Sequence, residues 1–192
     1  MKVGLFFGTF NPIHVGHMVI AGYMTEFTDL EQVWFVVSPH NPMKLKQTLL
    51  QDYHRLALVR TAIADNRKLK ASNIEFSLPK PSYTIETLTH MAEKFSGQEF
   101  ALILGADNLE SFPQWKDYER ILENHSLYVY PRLGFSGGNL TSHPKVKMTE
   151  APLMEISSSF IRESIKNKMD VRYMLTDSVF NYIEEMHFYE KD

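Results

Sequence analysis

Residues 8–17 (GTFNPIHVGH) combine glycine, proline and two histidines in a pattern that suits the binding of an anion. His14 and His17 are three residues apart, so at the start of a helix both side chains project from the same side of the first turn. Pro12 fits the entry to a helix, because its missing N–H would have no partner there. Gly8 follows an apolar run, and without a Cβ it lets a phosphate approach the backbone. Imidazole and helix-start N–H groups bind phosphate oxygens, and a polyanion raises the pKa of histidine so that it can carry charge.

Two other interpretations of the histidine pair remain open. In the first, one histidine caps the helix and the other lies on the surface. In the second, the pair binds a metal, which the spacing of His14 and His17 would permit. No neighbouring cysteine or carboxylate completes a ligand set, so we predict no protein metal site.

A second polar segment, ISSSFIR (156–162), follows the same logic near the other end of the chain. Ser157 and Ser158 precede a predicted helix, where serine side chains cap free N–H groups. Arg162 lies one turn further along, so it can reach an anion bound at that helix start. Capping alone is the alternative interpretation of the serines.

Composition limits the classes of protein to consider. The chain has 192 residues, a formal net charge of −3 and no cysteine, so disulfides, thiolate nucleophiles and Cys-ligated zinc are excluded. The chain lacks the net positive charge that would indicate a nucleic-acid polymer as partner. No apolar run approaches the roughly 20 residues of a membrane helix. We find no signal-peptide core and expect a soluble, cytoplasmic protein.

Strand and helix patterns alternate along the whole chain. The predicted strands are KVGLFF (2–7), QVWFVVS (32–38), NIEFSL (73–78), EFALILGAD (99–107) and SLYVYPR (126–132). Helical spacing covers residues 14–27, 53–64, 84–95, 159–168 and 178–186, while residues 135–144 are expected to form a flexible loop. This alternation predicts an α/β fold, a Rossmann-like doubly wound parallel sheet with helices on both faces, in a single domain spanning residues 1–192.

The carboxyl ends of these strands are the expected location of a ligand site. In open parallel sheets, ligands bind in the crevice beyond those ends. The residues at the predicted strand ends are Gly8, Ser38, Leu78, Gly105 and Pro131. We therefore expect the loops that follow them to converge on one site.

Five segments together resemble a known family. GTFNPIHVGH and ISSSFIR resemble the two signatures of the HxGH nucleotidyltransferase superfamily, the second usually being written ISSTxxR. KPSYTIETL, LGADNLESFPQW and VRYMLTDSVFNYI are similar to segments of the bacterial nicotinate-nucleotide adenylyltransferases. The resemblance covers nearly the whole chain, with the motifs in order and sensibly spaced.

The resemblance implies transfer of AMP from ATP to nicotinate mononucleotide, giving deamido-NAD and pyrophosphate in NAD biosynthesis. His14, His17 and Arg162 would be the catalytic residues. The implied ATP-binding residues are Gly8, Thr9, Phe10, His14, His17, Gly105, Asp107, Ile156, Ser157, Ser158 and Arg162. The implied residues for the mononucleotide are Asn41, Lys44, Tyr83, Thr84 and Trp115. Mg²⁺ would be carried on the ATP phosphates without a protein cage.

The residues for the mononucleotide also have a physical interpretation. Tyr83 and Thr84 begin a predicted helix, whose N–H groups could receive the nicotinate carboxylate. Trp115 could stack on the cationic pyridinium ring, or it could simply pack against the core. Asp107 could lie near adenosine or merely cap a helix.

Two positions depart from the family pattern, and several alternatives stay open. Met43 stands where related enzymes often have histidine, and Ser159 stands where threonine is usual. The acceptor could instead be nicotinamide mononucleotide or phosphopantetheine, or the chain could be a non-catalytic nucleotide sensor. A homo-oligomer is also possible.

Overall fold

The computed structural model describes residues 1–39, 49–64 and 66–190. One six-stranded sheet organises them. Its strands are β1 (Lys2–Gly8), β2 (Gln32–Val37), β3 (Leu69–Ser72), β4 (Glu99–Gly105), β5 (Leu127–Tyr130) and β6 (Val146–Met148). The central strands are apolar along their length because both faces of the sheet are covered.

The spatial order of the strands is β3-β2-β1-β4-β5-β6, and every neighbouring pair is parallel. The chain therefore moves outward in one direction from β1 to β3, then returns to the centre and moves the other way. This is the doubly wound topology predicted from the sequence. Its direction changes between β1 and β4, where parallel sheets of this kind leave a crevice beyond the strand ends.

Helices cover both faces of the sheet. Those of the described residues are α1 (Val15–Phe27), α2 (Asp52–Ala62), α3 (Thr84–Lys94), α4 (Ala106–Ser111), α5 (Tyr118–Asn124), α6 (Ser158–Lys166) and α7 (Asp177–Met186). Buried side chains of α1, α2, α6 and α7 pack with Phe35 and Ile103 on one face. Those of α3, α4 and α5 pack with Trp34 and Leu102 on the other face. Alternate strand residues thus serve two separate cores.

The third strand was predicted in the wrong place. Residues 74–77 form a 3₁₀ helix, and the strand is the preceding segment LKAS, which pairs with β2. Ile74 and Glu75 are consecutive and both buried, as residues of the central strands are, so burial does not distinguish this helical turn from a covered strand. Leu78 consequently follows a helical turn and ends no strand.

Helices α4 and α5 were not predicted, and the structure also differs from the predicted elements at other places. Strand β6 was missed, because at the sheet edge only Val146 of its three residues is buried. Asp107 lies in the first turn of α4, beyond the end of β4. The segment expected to be a flexible loop is attached to α4, because the backbone N–H groups of Ser136 and Gly137 donate to Glu110 Oε1 at 2.9 and 3.2 Å.

Among the helices that the structure describes, none is long and apolar enough to cross a membrane. The cytoplasmic location expected from the sequence stays a prediction.

Candidate active site

The turn between β1 and α1 brings the two histidines to the carboxyl end of the central strand. Phe10 adopts a left-handed conformation with φ of 46° and turns its ring back into the core, where it is 2% exposed. This ring fills the side of Gly8 on which a Cβ would lie, only 2.9 Å from the Phe10 Cζ atom. The missing Cβ of Gly8 therefore makes room for Phe10, and an approach of phosphate to this backbone stays a prediction.

His14 and His17 lie against each other at the start of α1, as their spacing predicts. Their ring centroids are 3.7 Å apart, and the backbone N–H of His14 donates to His17 Nδ1 at 3.2 Å. Because His17 Nδ1 accepts this bond, the neutral ring carries its proton on Nε2 and keeps an N–H donor for a ligand. Nδ1 of His14 is buried and has no hydrogen-bond partner within the described residues.

Both histidines are neutral in the unliganded protein. Burial, together with the nearby charge of Arg132, lowers the pKa of His14 from 6.5 to about 4. Burial, His14 and Arg132 hold the pKa of His17 well below its ordinary value. Charged imidazoles were expected only with a polyanion present, and that expectation stays a prediction.

The start of α6 contacts the histidine turn directly. Ser158 Oγ donates to the carbonyl oxygen of Pro12 at 2.8 Å, and Arg162 Nη1 donates to that of Asn11 at 2.7 Å. Ser157 caps α6 by accepting the N–H of Phe160 at 3.1 Å. The two segments singled out in the sequence, almost 150 residues apart, thus form one surface. Ser157 does cap the helix, and its contact with ATP stays a prediction.

A third segment adds an arginine that the sequence analysis missed. Arg132 follows β5, and its Nε lies 3.6 Å from Oδ1 of Asp107 in α4. Gly105 leaves room for both side chains, because an added Cβ would collide with the Asp107 carboxylate and lie 2.9 Å from Arg132 Cγ. Arg132 is the last residue of the predicted strand SLYVYPR, and this position was the available signal, since we predicted that this strand end faces the site.

A cavity of about 260 Å³ opens between the carboxyl ends of β1, β2, β4 and β5. It lies beyond the carboxyl ends of the strands, where a ligand site was predicted, and at the change of direction in the strand order. Its polar and aromatic lining includes Thr9, Ser38, Asn108, Trp115 and Tyr130. Trp115 is half-buried and packs 5.0 Å from the Phe112 ring, so it contacts both the core and the cavity.

The start of α3 lies beside the Trp115 segment. Lys116 Nζ lies 4.3 Å from the centre of the Tyr83 ring and 2.7 Å from Glu86 Oε1. Thr84 is the first residue of α3, and the Tyr83 side chain makes no capping hydrogen bond. Lys116 therefore links the two segments that were assigned to the nicotinate end.

A buried arginine supports the loops of the site and was also missed. Arg55 is fully buried, and its Nη1 donates to the carbonyl oxygens of Thr9 at 2.6 Å and Ser38 at 2.8 Å. Asp52 pairs with its Nη2 at 2.6 Å. Arg55 therefore ties together the residues that follow β1 and β2. In the sequence, Arg55 resembles an ordinary polar residue of an amphipathic helix, so no sequence pattern indicated that it would tie the two loops together.

The remaining predicted residues have different outcomes. Ile156 packs against the hydrophobic core, and a contact with ATP stays a prediction. Asn41, Met43 and Lys44 lie outside the described residues. Across the part of the chain that the structure describes, no group of three His, Asp or Glu side chains could hold a metal ion.

This chain is similar to proteins of one family along its whole length. The family model for cytidylyltransferase-like proteins matches residues 5–164. A probable nicotinate-nucleotide adenylyltransferase of Flavobacterium psychrophilum is 54% identical over 193 residues, covering 100% of both chains. The corresponding protein of Bacteroides fragilis is 44% identical over 182 residues, covering 95% of this chain and 90% of its own.

The solved structures agree on the fold. Nicotinic acid mononucleotide adenylyltransferase of Plasmodium falciparum, complexed with NaAD, superposes with a TM-score of 0.82 at 18% identity, covering 100% of this chain and 98% of its own. Because relatives with high identity span the full length, the chain belongs to the nicotinate-nucleotide adenylyltransferase family.

Proposed function

We propose that this chain transfers the AMP group of ATP to nicotinate mononucleotide, with His14, His17 and Arg162 on the triphosphate. The observation that carries the assignment of residues is the direct contact between the histidine turn and the start of α6. Arg162 donates to Asn11 at 2.7 Å and Ser158 to Pro12 at 2.8 Å, so the two motif segments lie side by side, and we propose that they share one ligand. The high identity to relatives that carry this family name supports the choice of reaction.

The reaction needs alignment and charge compensation more than proton transfer. A phosphate oxygen of the mononucleotide, already ionised at neutral pH, forms a bond to the α-phosphorus of ATP. The bond from this phosphorus to the oxygen that bridges the α- and β-phosphates breaks, and pyrophosphate leaves with that oxygen. The protein therefore has to align two anions and stabilise negative charge on the leaving group.

The histidines and arginines supply donors for this charge. His17 offers its Nε2–H because Nδ1 already accepts a backbone N–H. An imidazole already held in place in the site donates its N–H without reorganising when charge develops. Arg162 adds a positive charge from α6, where it donates to the carbonyl of Asn11, and Arg132 adds one from the end of β5, close enough to lower the pKa of His14.

The cavity beside Trp115 is proposed to bind the mononucleotide. Trp115 presents an aromatic surface on which a cationic pyridinium ring would stack. The start of α3 would receive the nicotinate carboxylate through its free N–H groups. Gly105 at the end of β4 and Asp107 in the first turn of α4 are proposed to contact adenosine.

Mg²⁺ is proposed to enter with ATP. Its ligands would be mainly phosphate oxygens and water, since Mg²⁺ commonly keeps several waters and needs few protein ligands. The bound ion would neutralise negative charge on the triphosphate. The chain's own residues would orient that triphosphate.

A pyrophosphate-release assay tests the proposal. Purified protein is given ATP and Mg²⁺ with nicotinate mononucleotide, nicotinamide mononucleotide or phosphopantetheine. We expect turnover with nicotinate mononucleotide, and much slower turnover with the other two. Turnover with phosphopantetheine alone would place the chain in another branch, and ATP binding without turnover of any acceptor would favour a nucleotide sensor.

A further inference from the structure

The segment after α7, residues 187–190, turns back onto the histidine turn; we call it the tail segment. His187 adopts a left-handed conformation with φ of 52°, and the N–H of Phe188 donates to the carbonyl of Ile183 at 3.1 Å. Phe188 is 8% exposed, and its ring packs 4.7 Å from that of His54 in α2. The tail segment is therefore fixed to the body of the protein by a helix-ending turn and a buried aromatic ring.

This turn places Tyr189 beneath the histidine turn. Its hydroxyl donates to Oδ1 of Asn11 at 2.8 Å. Tyr189 itself has a φ of 67°, an uncommon conformation for a bulky side chain that persists only where its surroundings support it. Burial raises the pKa of Tyr189 far above its ordinary value, so the hydroxyl keeps its proton and acts as the donor.

Asn11 connects this hydroxyl to the proposed triphosphate site. Its side chain is 3% exposed, and its Oδ1 also accepts the N–H of Leu50 at 3.3 Å. Its backbone carbonyl accepts Nη1 of Arg162 at 2.7 Å. The same residue thus receives the tail segment through its side chain and the arginine through its backbone.

We propose that Tyr189 is a positioning residue for adenylyl transfer: its hydroxyl fixes Asn11, whose carbonyl holds Arg162 where it meets the triphosphate. The proposal rests on the proposed function and extends the site to a residue outside both sequence motifs. Without the hydroxyl, the Asn11 side chain loses one of the bonds that fix its orientation, and the backbone of the turn can shift. Small displacements of a charge-stabilising group lower the rate more than they lower ground-state binding.

The test compares Tyr189→Phe with a matched control, Tyr128→Phe. Both changes remove one hydroxyl and leave the aromatic ring in the core. The Tyr128 hydroxyl bonds Asp29 and Lys147 far from the proposed site, near the amino end of the sheet. Each variant's free energy of unfolding is measured alongside, and only Tyr189→Phe should affect the reaction, even though the Tyr128 hydroxyl has more charged partners to lose.

For Tyr189→Phe we expect kcat to fall about tenfold, the size of one lost hydrogen bond, with the KM for nicotinate mononucleotide within about twofold of wild type. Tyr128→Phe should keep kcat within about twofold of wild type, because substitutions away from the site leave transition-state interactions intact. Equal kcat values for wild type and Tyr189→Phe would overturn the proposal, as would an equal loss in the Tyr128→Phe control.

A double-mutant cycle with Asn11→Ala tests the route of the effect. If Tyr189 acts through Asn11, then Tyr189→Phe should change kcat little in the Asn11→Ala background. Rate losses that multiply would mean that the two residues act independently, which would contradict the proposal.

Failure of the proposed function has a different signature. If the wild-type chain transfers AMP to no acceptor, that function is wrong, and ATP binding by calorimetry then decides the positioning role. The dissociation constant for ATP should rise about threefold or more in Tyr189→Phe and stay unchanged in Tyr128→Phe, in line with one weakened charged contact. An unchanged value in Tyr189→Phe would overturn the role.

Discussion

Replacing His14 with glutamine should make the unliganded protein less sensitive to acid. In the folded protein His14 is 6% exposed and its pKa is lowered from 6.5 to about 4. In the unfolded chain the imidazole is solvated and takes up a proton as the pH falls below 6.5. Above pH 6.5 His14 is neutral in both states and does not lower the free energy of unfolding. Between pH 6.5 and 4, protonation favours the unfolded chain and lowers this free energy. Below about pH 4 the loss stops growing.

The magnitude follows from the two pKa values. With 6.5 for the unfolded chain and about 4 for the folded protein, the linkage at pH 5 removes about 2 kcal/mol from the free energy of unfolding. At pH 8 the same group contributes nothing. His17 acts in the same direction, since its pKa is also lowered.

Urea unfolding at pH 8 and pH 5 measures this effect. Wild type should lose about 2 kcal/mol more than His14→Gln does between the two pH values, and the difference should be independent of any packing change that the substitution itself causes. The control His90→Gln removes a histidine from α3, outside the site, so the comparison isolates the surroundings of residue 14. An identical loss in wild type and His14→Gln would refute the claim that burial keeps this imidazole neutral.

Three further outcomes concern the reaction and its framework. His17→Ala should lower kcat about 100-fold while most of the ATP affinity remains, because the His17 N–H donor matters most as charge develops on the leaving group. Steady-state kinetics measures this effect, and unchanged turnover would contradict the role. Gly105→Ala should weaken ATP binding measured by calorimetry, because the new Cβ displaces the carboxylate of Asp107; wild-type affinity would show that this carboxylate is not needed for ATP binding. Arg55→Met should lower the free energy of unfolding, measured by urea unfolding, by about 3 kcal/mol or more, because it leaves buried carbonyls without a donor. A loss near zero would show that water replaces the guanidinium.

Much of the fold was predictable because its signals are local. The central strands are continuous apolar runs, and that pattern alone indicates strands covered on both faces. The outer strands β3 and β6 were misplaced or missed, since their mixed composition reflects a position at the sheet edge that no local pattern encodes. Glu75 shows the same limit: its carboxylate accepts the hydroxyl of Thr87 at 2.8 Å in the interior, yet in the sequence it resembles a surface residue of a strand.

The sequence by itself determined the positions of His14, His17 and Arg162 relative to two helix starts, because side-chain direction in the first turn of a helix depends only on spacing. Only the tertiary structure decided what surrounds them. Burial and the charge of Arg132 hold the histidines neutral, Arg55 ties the loops together from beneath, and Tyr189 reaches Asn11 from the opposite end of the chain. Desolvation and long-range contacts depend on which segments meet in space, and that information lies in the packing of the whole chain.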